Sequence, residues 1–317
     1  MLMMTGLTTA LCLLFGVVLD MAFGEVRKWH PLVGFGHLAN WVEQGLNRAS
    51  ASRWTGAIAW MLVVLPFVLL AILTLWFAHH YTTWLAPVLH GILLYFCLGL
   101  RSLRDHNLPI QQALLDGDLA TAQRLTSYIV SRDTDDADEE YLAKASVESV
   151  LENGCDAVFG TLFWFMLLGG AGAVLYRLAN TLDAMWGYRS SRFLRFGCVA
   201  ARIDDGLNWL PARLTALTYA VLGNTRLALQ CWQRQAPRWP SPNAGPVMAA
   251  GAGALHLTLG GNARYDGENE NRPLLGKGKL AVASDIQRAW QLVFGGTLLW
   301  LGIIVLAALF LSGILYA

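Results

Sequence analysis

Long uninterrupted apolar runs dominate the chain, and polar residues gather between them instead of alternating with them. A membrane-crossing helix needs roughly 20 predominantly apolar residues. Residues 1–19 meet that length at its lower limit, and 55–78, 81–100 and 291–317 meet it without one Asp, Glu, Lys or Arg. Residues 157–176 are uncharged too, but their middle reads Gly169-Gly170-Ala171-Gly172. Residues 214–225 are too short to cross alone. Residues 241–263 are uncharged and built from Gly, Ala and Pro, a composition suited to close helix packing more than to lipid. Strand signals are absent. The expected fold class is all-α: a multi-pass integral membrane protein with four or five transmembrane helices, re-entrant elements and cytoplasmic helical loops. The chain reads as a single membrane-embedded domain, with 101–156 and 177–290 as its polar catalytic segments. The first run has no basic flank ahead of it, so it reads as a retained helix, not a cleaved signal.

Loop charge sets the orientation. Residues 20–54 carry Arg27, Lys28, Arg48 and Arg53, and 101–156 carry Arg101, Arg104, Arg124, Arg132 and Lys144. The link at His79-His80 has no Lys or Arg. The positive-inside rule then puts the N-terminus outside and both basic segments in the cytoplasm. A full crossing by 157–176 would export Arg177, Arg189, Arg192, Arg195 and Arg202. A re-entrant hairpin broken at Gly169–Gly172 avoids this. Such a break is tolerated at membrane depth only when buried in protein or lining a cavity.

Composition agrees with a membrane protein. Hydrophobic residues make up 55% and charged residues 14%, against roughly 25% charged in soluble domains. The net charge of +1 gives no field for nucleic acid. Cys12, Cys97, Cys155, Cys198 and Cys231 are scattered singly, which argues against a disulfide framework or a zinc site. The chain has no GxxxxGK[ST] loop and no HExxH, so any nucleotide is held without a P-loop.

Four polar clusters carry candidate chemistry. The first is Ser131-Arg132-Asp133-Thr134 with the acidic run that follows. It reads as a helix start capped by Asp133 or Thr134. From there Lys144, Glu148, Glu152 and Asp156 recur every four residues and form one helical stripe. Lys144–Glu148 would be a surface pair. Carboxylates at the mouth of a membrane insertion are costly unless paired or cation-bound, which makes Glu148, Glu152 and Asp156 candidates for catalysis. Asn180 with Asp183, and Asp204-Asp205 with Asn208, offer hard oxygen ligands that suit magnesium held partly by phosphates. Arg202 and Arg213 suit phosphate oxygens. Last, Trp239-Pro240-Ser241-Pro242-Asn243 forbids regular helix and makes a rigid polar loop, a plausible binding wall. Helix caps and surface ion pairs are the structural alternative for each.

The ordered set Asp20…His30-Pro31…Gly34, Arg132-Asp133-Thr134, Glu148…Glu152-Asn153…Asp156, Asn180-Thr181-Leu182-Asp183, Asp204-Asp205…Asn208…Pro211-Ala212-Arg213, Ser241-Pro242-Asn243 and Tyr265-Asp266-Gly267 resembles the adenosylcobinamide-phosphate synthase family (CobD/CbiB). It covers Asp20 to about Gly276. The resemblance implies an enzyme of the cell inner membrane, its catalytic face cytoplasmic. Such enzymes condense adenosylcobyric acid with (R)-1-amino-2-propanol phosphate, or a related amino alcohol derivative, using ATP and Mg2+. On that reading Glu148, Glu152 and Asp156 are catalytic, with Glu148 or Glu152 the general base. Asp183, Asp204, Asp205 and Asn208, helped by Asn180, hold the metal. Arg132, Asp133, Thr134, Asn180, Arg202, Arg213, Ser241 and Asn243 bind ATP, the amine's phosphate or the corrinoid. Partners would be the lipid bilayer and neighbouring corrinoid-pathway enzymes, with no nucleic acid. The sequence departs from the family's Gly-Asp-Pro at Gly24-Glu25-Val26, and Pro246 stands where the family often has Trp. The alternative reading is a transport or signalling protein on a related scaffold, but the firm spans are free of Asp, Glu, Lys and Arg, which counts against an ion or proton pathway.

Overall fold

In the computed structural model, residues 5–26, 30–48, 52–265 and 267–316 are described. Helices dominate them, and five helical stretches are long and apolar enough to cross a membrane: Gly6–Phe23, Arg53–Tyr81, Leu85–Leu115, Glu139–Trp186 and Ala283–Ile314. The all-α, multi-pass class holds. Arg27, Lys28 and Asp266 lie outside the described residues.

The chain forms two compact units. The first holds residues 1–99, 160–208 and 301–317, and the second 100–159 and 209–300.

The first unit contains α1 (Gly6–Phe23), α2 (Pro31–Leu46), α3 (Arg53–Tyr81), α4 (Leu85–Cys97) and α8 (Gly160–Trp186). Its core joins Phe35 and Ala39 of α2, Trp60, Val63 and Val64 of α3, and Leu178, Leu182 and Trp186 of α8. Leu62, Leu69, Leu70 and Phe77 on the far side of α3 stay exposed. An apolar face of that extent is intolerable in water and normal against lipid.

α8 reverses direction. Gly169 takes φ 65, ψ −154, a region open essentially to glycine alone. A Cβ on Gly172 would fall 2.3 Å from the carbonyl oxygen of Trp164, and one on Gly160 would fall 2.1 Å from the Tyr176 hydroxyl. Residues 16 apart on a straight helix lie about 24 Å apart, so the two halves fold back on each other. His90 of α4 meets the turn, its Nδ1 accepting from the Gly170 N–H at 2.8 Å.

The second unit contains α5 (Leu100–Leu115), α6 (Leu119–Ser127), α7 (Glu139–Asn153), α10 (Thr225–Gln235) and α11 (Ala244–Leu255). A π-helical turn, Gly154–Phe159, follows α7. Two helices contribute to both units, α9 (Cys198–Leu222) and α12 (Ala283–Tyr316). Every residue of α11 is buried, in keeping with its Gly/Ala composition. Asp285 opens α12 fully buried, accepting from the Val282 N–H at 3.0 Å and paired with Lys279 and Arg288.

The expected absence of strands does not hold. β1 (Leu257–Tyr265) pairs antiparallel with β2 (Glu268–Gly276), and β3 (Lys279–Leu280) joins β1 in parallel. The Gly/Ala-rich run is also shorter than its composition implied, ending at Leu255. His256 takes φ 58, ψ 45 there, and the strand begins at the next residue.

Candidate functional sites

In the second unit a buried carboxylate organises two arginines. Glu148 projects from α7 and is 1% exposed. It accepts from Arg132 Nη2 at 2.6 Å, from Arg272 Nη2 at 3.1 Å and from the Gly260 N–H at 2.7 Å. That N–H is free to turn inward because the β1–β2 register slips between Gly260 and Gly261. Gly260 has φ 75 there, and a Cβ would meet the Pro273 carbonyl oxygen at 2.1 Å. The bulge thus aims one backbone donor at one carboxylate. Burial pulls the Arg132 guanidinium down, and the Glu148 carboxylate more than restores it, so Arg132 stays charged.

Both Glu148 oxygens are engaged, which does not suit the general base expected from the sequence. The geometry is that of a strut positioning two cations. The expected Lys144–Glu148 surface pair is also replaced: the Lys144 amine reaches the Asn262 carbonyl at 3.3 Å. The cap of α7 is Asp138, accepting from the Tyr141 N–H at 2.8 Å, not Asp133 or Thr134. Thr134 is buried, and Asp133 accepts from the Gly267 N–H at 2.7 Å. Glu152 and Asp156 are half-buried around the π-helical turn, which breaks the four-residue stripe between them.

The same unit joins Arg213 to Asn243. Arg213 donates to Asn243 Oδ1 at 2.8 Å and to the Pro242 carbonyl at 3.0 Å. Ser241 Oγ accepts from the backbone of Asn243 at 3.3 Å and of Ala244 at 3.1 Å. This loop starts α11, and burial lowers the Arg213 guanidinium.

In the first unit the returning half of α8 and the start of α9 bring Tyr176, Asn180 and Asp183 beside Asp204, Asp205 and Asn208. Tyr176 donates to Asn208 Oδ1 at 3.0 Å, and Asn180 Nδ2 donates to Asp204 Oδ1 at 3.3 Å. Asp183 feels the charge of Asp205. Burial raises the Asp205 carboxyl, and Arg189 partly opposes it. Among the described residues no three His, Cys, Asp or Glu side chains cluster as a metal site. The expected set is therefore no preassembled cage. It fits instead the one or two carboxylates that magnesium takes when phosphates supply its other ligands. Arg202 stands exposed on α9.

Sequence reasoning missed Arg272 and the Gly260 N–H. A signal was present: Asp266-Gly267 between two nine-residue segments is a strong hairpin mark, and it brings Arg272 back toward α7.

The CobD/Cbib protein family model matches residues 13–293. The chain belongs to the CobD/CbiB family. It is 54% identical to the cobalamin biosynthesis protein CobD of Stutzerimonas stutzeri, over 95% of this chain and 97% of that protein. The protein of the same description in Chromobacterium violaceum is 50% identical over 97% and 99%. That of Mycobacterium tuberculosis is 39% identical over 90% and 91%. No solved structure matches. The match to this family covers the strands, the hairpin and both polar clusters.

Proposed function

We propose that this chain is an ATP-dependent amide ligase of adenosylcobalamin biosynthesis, seated in the cell inner membrane with its polar segments cytoplasmic. It would join adenosylcobyric acid to (R)-1-amino-2-propanol phosphate, or a related amino alcohol derivative, giving adenosylcobinamide phosphate. The observation that carries this reading is the end-to-end similarity to relatives named for cobalamin biosynthesis.

The chemistry sets two demands. A carboxylate is a poor electrophile and needs activation by phosphoryl transfer, and the amine must lose a proton before attack. Phosphoryl transfer is mostly positioning and charge neutralisation. Magnesium, when bound with ATP, supplies the charge that offsets the phosphates. Asp204 and Asp205, with Asn180, Asp183 and Asn208 around them, are the residues suited to hold it. Arg132 and Arg213 neutralise anionic oxygens, Glu148 positions Arg132, and Glu152 or Asp156 takes the amine's proton. The Ser241–Asn243 loop forms a wall for the corrinoid.

A deletion strain tests the whole reading. Growth on adenosylcobyric acid fails while growth on adenosylcobinamide survives, and the wild-type gene restores the first. Rescue by an Asp204→Ala gene would remove Asp204 from the reaction. Equal growth of the deletion strain on both corrinoids would remove the function.

A further inference from the structure

In the second unit α9 and α10 meet at an elbow that is apolar on one arm and basic on the other. On the second half of α9, Leu210, Leu217 and Val221 are exposed, with half-buried Leu214 between them. Spacings of seven and four residues put them on one face of the helix. That face does not meet water. Thr218 of α9 accepts from Trp300 Nε1 of α12 at 2.8 Å, and a Cβ on Gly295 would lie 3.6 Å from Leu222. Gly295 and Trp300 belong to the uncharged run 291–317, about 6–14 Å along the helix from its start. At that depth an exposed apolar face is against lipid.

α10 begins where the run of lipid contact ends. The Asn224 N–H donates to the Ala254 carbonyl at 3.1 Å, and the next carbonyl, that of Leu255, accepts from Arg288 at 2.9 Å. Arg288 stands three residues before the uncharged run, a level occupied by headgroups. From there Arg226, Gln230, Arg234 and Arg238 recur every four residues, all exposed. Among the described residues none of these three arginines has an ion-pair partner, and residues 206–265 contain no Asp or Glu. Gln235 exchanges two hydrogen bonds with Gly276, at 2.9 and 2.7 Å, which brings exposed Lys277 to the same end of α10. Like charges four apart oppose a helix in water, and an anionic surface relieves that repulsion. An apolar insertion joined to a basic stripe supplies the two signals that hold an interfacial helix on charged lipid.

We propose that the α9–α10 elbow docks anionic phospholipid of the cytoplasmic leaflet. The acyl chains lie along Leu210, Leu217 and Val221, and the phosphate sits on Arg226. Arg234 and Arg238 draw neighbouring headgroups. The choice of leaflet rests on the membrane orientation proposed above; the ligase reaction plays no part in it.

The test is photocrosslinking in nanodiscs of equal phosphatidylglycerol and phosphatidylcholine, read by mass spectrometry of the full-length protein. Benzoylphenylalanine in place of Gln230 reports the basic stripe, and the same group in place of exposed Leu298 on α12 is the lipid control. At Gln230 phosphatidylglycerol is captured about fivefold over phosphatidylcholine, and the preference shrinks as salt shortens the reach of charge. A triple Arg226→Gln/Arg234→Gln/Arg238→Gln variant captures the two lipids equally, and the corresponding triple Arg→Lys variant keeps the preference. A shared thermal midpoint in phosphatidylcholine alone shows that both variants are folded. Lipid captured at Leu298 but not at Gln230, or cross-linked dimers in its place, overturns the proposal. So does equal capture by wild type, or a preference unchanged in the triple Gln variant. Inorganic phosphate that abolishes the preference where chloride of the same ionic strength does not would mark a free-anion site and overturn it too. Nanodiscs carry one composition in both leaflets, so the result stands whichever way the chain is oriented, and growth of the deletion strain does not bear on it.

Discussion

Tyr176 donates its hydroxyl to Asn208 at 3.0 Å, from a position directly opposite Gly160 on the other arm of the α8 hairpin. One ring thus fixes both the closure of the hairpin and the orientation of an amide in the α8–α9 cluster. Tyr176→Phe removes one buried hydrogen bond and costs about 1 kcal/mol. Gly160→Ala costs more, since the new methyl meets the hydroxyl. The double variant is not rescued, because ring carbons lie 2.2 and 2.6 Å from the same point. Thermal melts of the detergent-purified protein rank the three. A double variant as stable as Tyr176→Phe alone would show that the ring does not close the hairpin.

The hairpin turn rests on Gly169. An alanine there occupies a backbone region that costs about 1–3 kcal/mol for any residue with a Cβ. Gly169→Ala therefore lowers the melting midpoint and increases proteolysis near residue 169. A midpoint equal to wild type would place the reversal elsewhere.

Glu148→Ala leaves Arg132 and Arg272 buried without their shared carboxylate, a loss of about 3–5 kcal/mol. Glu148→Gln keeps an acceptor for one arginine and falls between. Chemical denaturation in mixed micelles, read against wild type, checks the order. If alanine were no worse than glutamine, the arginines would be held by something else.

The Glu43–Arg192 pair in the first unit gives a pH signature. Burial pushes the Glu43 carboxyl up, but the Arg192 guanidinium at 2.9 Å and the Asn47 amide outweigh it and hold it below its ordinary value of 4.5. The native state thus binds the proton less readily than the unfolded chain. The pair's stabilisation is complete above about pH 4.5 and is lost as pH falls through the depressed value. Melts of wild type and Glu43→Gln between pH 7 and 3 should converge at the acid end. Parallel curves would show that this carboxylate is not titrating with stability.

The apolar runs were legible because lipid and core both demand them, and the break at Gly169 was legible because three glycines in four residues are unusual within such a run. Individual site roles were less so. Glu148 reads along the helix as a partner of Lys144, since spacing reveals neighbours one turn away. Its real partners come from a loop 16 residues earlier and a strand 124 residues later. The hairpin that carries Arg272 is polar and glycine-rich, so it lacks alternation, and only its Asp-Gly turn marks it. Asp204 and Asn208 were recognisable as one helical face, whereas their contacts with Asn180 and Tyr176 depend on the α8 reversal.

α11 has one more consequence. Nine of its twelve residues are Gly, Ala or Pro, side chains with almost no rotamer freedom to lose. Its ordering is inexpensive, but its tolerance is narrow. A methyl added at Gly251 already falls 2.8 Å from Leu151. A saturation scan across these three turns should accept few replacements of any kind. The helix acts as a shim whose thickness matters more to the packing around it than its chemistry.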